Sequence, residues 1–208
     1  MSSRHLRIVL LVVGASALLA TIGLMMLVAQ RRMKQEQEPA PVQHLRFALT
    51  SHLGQPFSDR DIAGRHALVY FGYTFCPDIC PTELGFVHRL LKDVGTQGQD
   101  LTPLFITIDP ARDTIAVLNE YVPLFDARMI GLTGSQEAIA SAAASVGAFF
   151  QRADVLTKQP GFYLMDHSRS IFLVGPDGGV LAHYQSTDPY AQVIADLRQR
   201  LATASEAP

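Results

Sequence analysis

The sequence predicts an α/β domain carried behind an apolar N-terminal helix, and three observations lead there. Residues 8–30 contain no formal charge. Apolar strand-like runs at 67–72 and 104–108 alternate with segments of helical period, the order of a βαβ unit. A GPDGG turn at 175–179 then joins two more strand-like runs ahead of a final helical segment.

The N-terminal run is long enough to matter. At 1.5 Å per residue, 8–30 reaches roughly 30 Å, the thickness of a hydrocarbon core. The apolar core of a cleaved signal peptide is shorter, about 7–15 residues. A buried soluble helix would show a polar face, and beyond Ser16 and Thr21 this one shows little. Residues 1–30 therefore read as an uncleaved membrane anchor, 31–45 as a juxtamembrane linker, 46–203 as the domain and 204–208 as a tail. Arg4 and Arg7 precede the span while Arg31, Arg32 and Lys34 follow it, so charge does not decide the orientation. The short N-terminus and large C-terminal domain favour N-in, C-out. About 170 residues suit one domain. The formal net charge of −2 and the lack of a basic stripe exclude nucleic acid as an expected partner.

Within the domain, 67–72 (ALVYFG) is a buried strand. The helix after it takes Pro81 in its first turn, buries Leu84, Val87, Leu91 and Val94, and stops at Gly95. Leu104–Ile108 is the second strand, ending at Asp109-Pro110. A helix from Asp113 to about Tyr121 is interrupted by Pro123. An alanine-rich helix over 135–147 takes Ser135 as its cap. The hairpin pairs Ser170–Val174 with Val180–Gln185, and the helix from Pro189 to Leu201 turns Val193, Ile194, Leu197 and Leu201 to one side. A β-α-β half followed by a β-β-α half is the thioredoxin arrangement. Ligands of such sheets sit beyond the carboxyl ends of the strands, where Cys76 and Cys80 lie.

The chain has two cysteines, in Cys76-Pro77-Asp78-Ile79-Cys80. On a helix this spacing stacks the thiols one turn apart. The pair can close a disulfide, since such Cα atoms fall within about 4.4–6.8 Å, or it can chelate Cu(I) or Zn(II). A bridge over so short a loop is a weak staple. A helix N-terminus would favour the thiolate. The three-residue gap differs from the usual C-x-x-C of redox and zinc sites. Two thiols leave any metal under-coordinated.

Of seven histidines, His5, His44, His52, His66, His88 and His183 read as solvated or hydrogen-bonded side chains. His167 lies in a polar connection, Met165–Arg169, leading into the hairpin. In the thioredoxin arrangement that loop faces the cysteines. Two thiolates and an imidazole suit Cu(I), Cu(II) with an added ligand, or Zn(II) with water.

The stretches YFGYTFCPDICPTEL, FITIDPARDT and YLMDHSRSIFLVGPDG resemble the hallmark motifs of the Sco/SenC family. The resemblance covers roughly Phe47 to Leu201. It implies a thioredoxin-like copper chaperone for the binuclear copper centre of cytochrome c oxidase, with Cys76, Cys80 and His167 as copper ligands. It implies a redox disulfide between Cys76 and Cys80, and a supporting or redox-coupling role for Asp109. The implied partners are the oxidase's copper-bearing subunit and other copper chaperones. The alternative is a membrane-tethered thiol–disulfide oxidoreductase acting on the oxidase's cysteines. Such a reductase would, by resemblance, carry a cis-proline facing its thiols, and no proline occurs between Gly161 and Gly175. A metallochaperone rather than an enzyme is expected. The short stretch before the span favours the bacterial cytoplasmic membrane, with the domain on the periplasmic side, over the mitochondrial inner membrane facing the intermembrane space.

Overall fold

A run buried along its whole length, His66–Gly72, is the centre around which the elements are arranged. In chain order they are β1 (Ala48–Ser51), β2 (Pro56–Ser58), β3 (His66–Gly72), α1 (Ile79–Asp93), β4 (Leu101–Thr107), α2 (Ile115–Tyr121), β5 (Ile130–Thr133), α3 (Gln136–Ser145), β6 (Phe150–Ala153), β7 (Leu164–His167), β8 (Ile171–Val174), β9 (Val180–Tyr184) and α4 (Tyr190–Ser205). One mixed sheet runs β2-β1-β5-β4-β3-β8-β9, and β6 with β7 forms a separate ribbon. β3 is parallel to β4 across the α1 crossover and antiparallel to β8, which pairs with β9. This is the expected thioredoxin-like order.

The computed structural model describes residues 21–28, 30, 42–98, 100–153 and 162–205. The chain divides into two units, 1–41 and 42–208. In the first, 21–28 are helical with exposed side chains. Among the described residues no helix is long and apolar enough to cross a membrane. Most of the span predicted over 8–30, and residues 31–41 of the linker predicted over 31–45, lie outside the described residues; 43–45 belong to the domain instead, with Leu45 fully buried, its N–H donating to the Gly178 carbonyl and the Gln43 carbonyl accepting from the Val180 N–H.

Local chemistry accounts for the elements the sequence marks. Leu84, Val87, Leu91 and Val94 are all buried, and Gly95 ends the α1 turn at φ 70°, a conformation costly for other residues. Ser135 accepts a hydrogen bond from the Ala138 N–H, and Thr114 does the same for Val117 at the start of α2. Leu197 and Leu201 bury the inner face of α4.

Several elements have no clear mark in the sequence. β4 begins at Leu101, ahead of the predicted 104, because Pro103 sits where pairing with β5 has not begun. β1, β2 and β5 have no more than four residues each, too few for an alternation to show. The connection predicted around His167 is instead the end of strand β7, laid antiparallel against β6 with Phe150 opposite His167. Both strands are half exposed and mixed in polarity.

The loop after β3 is fastened by Asp113, which is fully buried. Its carboxylate accepts from the Thr74 N–H at 3.0 Å, the Thr74 hydroxyl at 2.6 Å and the Thr107 hydroxyl at 2.6 Å. Burial pushes its carboxyl above the ordinary 3.8, against the pull of the Thr107 and Thr74 hydrogen bonds. A raised acid contributes its full stability below the unfolded value and loses it as pH rises through the folded value. We therefore expect Asp113→Ala to lower unfolding free energy by roughly 2–4 kcal/mol. Its deficit against wild type, read by denaturant titration, will be larger near about pH 4 than at neutrality. A deficit that grows toward neutrality would mean that the hydrogen bonds outweigh burial.

Candidate metal centre

Chain geometry brings the two cysteines to the carboxyl edge of the sheet. β3 ends at Gly72, the chain turns through Tyr73–Asp78, and α1 begins at Ile79. Gly72 is required by close packing. A Cβ there would lie 2.8 Å from Tyr70 Cε1 and 3.0 Å from both Cys80 Sγ and Phe105 Cε2. Cys80 can sit against the sheet only because that position carries no side chain. Cys76 is at the end of the turn, its N–H donating to the Tyr73 carbonyl at 3.4 Å.

Both cysteines are free thiols and both are buried. The Cys80 backbone N–H donates to Cys76 Sγ at 3.4 Å, as expected where sulfur sits at a helix N-terminus. His167, at the end of β7, places Nε2 3.5 Å from Cys80 Sγ. The three donor atoms all lie within 4.8 Å of one another. His167 Nδ1–H donates to the Ser168 carbonyl at 2.8 Å, which leaves the Nε2 lone pair facing the sulfurs. Tyr73 and Tyr70 set their rings edge-on to the imidazole, with centroids 5.9 and 6.1 Å away. The Tyr70 hydroxyl donates to Cys80 Sγ at 3.6 Å.

The thiols are not equivalent. A hydrogen bond from the Cys80 side chain, with lesser help from the Cys80 and Asp78 backbone N–H groups, lowers Cys76 from 9.0 to about 3 despite burial. Cys80 is pushed the other way, first by donating to Cys76 and then by burial. Without metal the site thus holds one thiolate and one thiol sharing a proton, under Tyr70, whose own ionisation is suppressed chiefly by burial. A metal that takes both sulfurs must release the Cys80 proton. Two thiolates and an imidazole form a soft, three-donor set that fits Cu(I), and Zn(II) with an added water. Tyr73, Cys76, Ile79, Met165 and His167 line a shallow cleft over it.

The other residues singled out in the sequence lie elsewhere. Asp109 is buried at the end of β4, pairs with Arg112 and accepts from the Tyr163 hydroxyl at 2.8 Å. Its hydrogen bonds do not reach the sulfurs or the imidazole. His52 accepts from the Gly131 N–H, His88 lies 3.4 Å from Asp126, and His183 packs on Phe172. His66, expected to be solvated or hydrogen-bonded, is instead buried, and its Nε2 has no partner among the described residues. Asp113, Gly72 and Tyr70 escaped the sequence reading although all three lie inside the quoted motifs. A glycine and a tyrosine at a strand end read there as strand residues.

The SCO1/SenC family model matches residues 34–202. The mitochondrial SCO1 homolog of Homo sapiens is 35% identical over 153 residues, 73% of this chain and 50% of the human protein. Protein SenC of Rhodobacter capsulatus is 38% identical over 152 residues, 72% of this chain and 66% of that protein. The crystal structure of Arabidopsis thaliana ScoI with copper bound matches with a TM-score of 0.70 and 30% identity, covering 77% of this chain and 99% of that one. This chain spans only 50–61% of the length of mitochondrial relatives from human, mouse and zebrafish.

The asymmetry of the two thiols is directly measurable. The thiolate absorbance of the reduced, metal-free protein will persist to about pH 5, well below the ordinary thiol range near 8.5, and will correspond to one sulfur. In Cys76→Ser the low-pH absorbance will vanish. A single titration of both sulfurs near the ordinary value would refute the shared proton.

Proposed function

The chain belongs to the SCO1/SenC family, and from that premise we propose that it is a membrane-anchored copper metallochaperone serving assembly of cytochrome c oxidase. What supports this most is the convergence of Cys76 Sγ, Cys80 Sγ and His167 Nε2 within 4.8 Å. A relative of the same fold holds copper, which favours copper over zinc for a donor set that suits both. Cu(I) is the cargo expected from two thiolates and one imidazole, and Cu(II) needs a further ligand.

In this reading each residue has a distinct task. The Cys76 thiolate stands ready to capture cargo at the cleft. Cys80 gives up its proton as its sulfur closes the chelate, and His167 completes the set through an imidazole already held in the correct tautomer by Ser168. Delivery proceeds by ligand exchange at the cleft, one donor at a time, to the oxidase's copper-bearing subunit. That client comes from the family resemblance. Residues 8–30 anchor the domain, the stretch from 31 to about 41 spaces it from the bilayer, and the domain faces the periplasm of a bacterial cell.

A second reading is favoured by the lowered Cys76 thiol. Its thiolate could attack a disulfide of the client, and Cys80 could then displace the mixed disulfide. The client would leave as a dithiol, and the Cys76–Cys80 disulfide would carry the two electrons' worth of oxidation.

The two readings part at His167. We expect His167→Ala to keep the fold and a reducible Cys76–Cys80 pair, yet to lose more Cu(I) affinity than the roughly 10–100-fold typical of residues behind a ligand. Competition against a Cu(I) chelator, beside the disulfide potential, measures both. Full copper affinity in the variant would replace the chaperone reading with the reductase one.

The anchor has its own test. A chain beginning at Glu36 should stay soluble, folded and able to bind copper without detergent. Aggregation of that chain, when the full chain folds in detergent, would make 8–30 part of the domain.

A further inference from the structure

We propose that two ion pairs with buried carboxylates, Glu83–Arg169 and Asp109–Arg112, are positioning devices that fasten β7 at both ends and so hold His167 against the cysteines. The inference rests on reading the three residues as a metal centre. It is motivated by where His167 sits. β7 is outside the seven-stranded sheet and takes β6 as its ladder partner, so the main sheet's hydrogen bonds do not locate the imidazole.

The lower fastening lies two residues beyond His167. Arg169 Nη2 donates to Glu83 Oε1 at 3.3 Å, and the Glu83 side chain has no exposed surface. Glu83 follows Cys80 by three residues on α1, on the same helical face. The Ser186 hydroxyl and N–H also donate to this carboxylate, at 2.7 and 2.9 Å. One buried carboxylate thus ties the cysteine helix to the exit of the histidine strand.

The upper fastening grips Tyr163, the residue before β7. Its hydroxyl donates to Asp109 Oδ1 at 2.8 Å, and its carbonyl accepts from Arg112 Nη1 at 3.1 Å. The Arg112 guanidinium lies 3.7 Å from the centre of the tyrosine ring and pairs with Asp109. The end of β4 therefore holds the entrance of the strand. β7 has four residues, so anchors at 163 and 169 leave its backbone little freedom. With the Arg169 and Arg112 side chains 39% and 24% exposed, such pairs contribute little net stability compared with apolar packing, and the better-attested use of an ion pair anchored on a buried carboxylate is to specify one arrangement. That use is the one assigned to these pairs.

Arg169→Gln cuts the lower fastening and Tyr163→Phe removes the hydroxyl of the upper. In the reduced, metal-free protein, amide hydrogen exchange over 164–168 should quicken by about tenfold or more in each, with β3 and α1 unchanged. Cu(I) affinity should fall about 10–100-fold in the chain that keeps His167, and no further when combined with His167→Ala. Unchanged exchange over 164–168, or an equal loss of affinity with and without His167, would overturn the proposal. If Arg169→Gln fails to fold, Tyr163→Phe alone decides. If His167→Ala binds copper as the wild type does, the metal-centre reading fails, while the exchange data still judge the fastenings.

Discussion

The arrangement depends on how closely α1 approaches the end of β3. Gly72 leaves room for Cys80 Sγ at a distance no other residue would permit, and that contact seats the first turn of the helix on the sheet. From it follow the burial of Cys80, the reach of the Tyr70 hydroxyl to its sulfur, and the aim of the helix's free N–H groups at Cys76. Asp113 completes the constraint from the other side. By holding Thr74 to Thr107 it fixes the turn between the strand and the helix, so both sulfurs are placed by elements of the core.

The electrostatics follow from that packing. Two sulfurs so close cannot both stay charged in a buried site, and the proton settles on the one with less access to solvent and to backbone donors. Cys80 is the more buried sulfur and Cys76 is the one that receives the Cys80 N–H. The reduced pair is therefore poised, with one sulfur ready to react and the other in reserve. That state serves metal capture and disulfide exchange equally well, which is why the thiols cannot separate the two functions and the imidazole can.

Much of this was legible in the sequence, for identifiable reasons. β3, α1, α3, the β8–β9 hairpin and α4 carry period, caps or turn residues that act locally, and each stands where those signals put it. Cys76, Cys80 and His167 stood out because their side chains have few bland uses at such positions. The β6–β7 ribbon was hidden because its strands are short, half exposed and far apart in the chain, so Met165–Arg169 read as a connection. Asp113 was hidden for a different reason. A carboxylate between Arg112 and Thr114 looks like part of a helix start, and only the tertiary fold reveals that it points inward to Thr74 and Thr107.

The site is thus assembled from two halves with different mechanical origins. The sulfur half is built into the central strand and its crossover helix, where displacing a ligand means disturbing the core. The imidazole half rides on a small ribbon and meets Cys80 Sγ directly, held there by ring contacts with Tyr70 and Tyr73 and by polar contacts made at long range in sequence. The donor set thus draws on two separately fastened supports, and the place of the imidazole depends on contacts other than the main sheet's ladder.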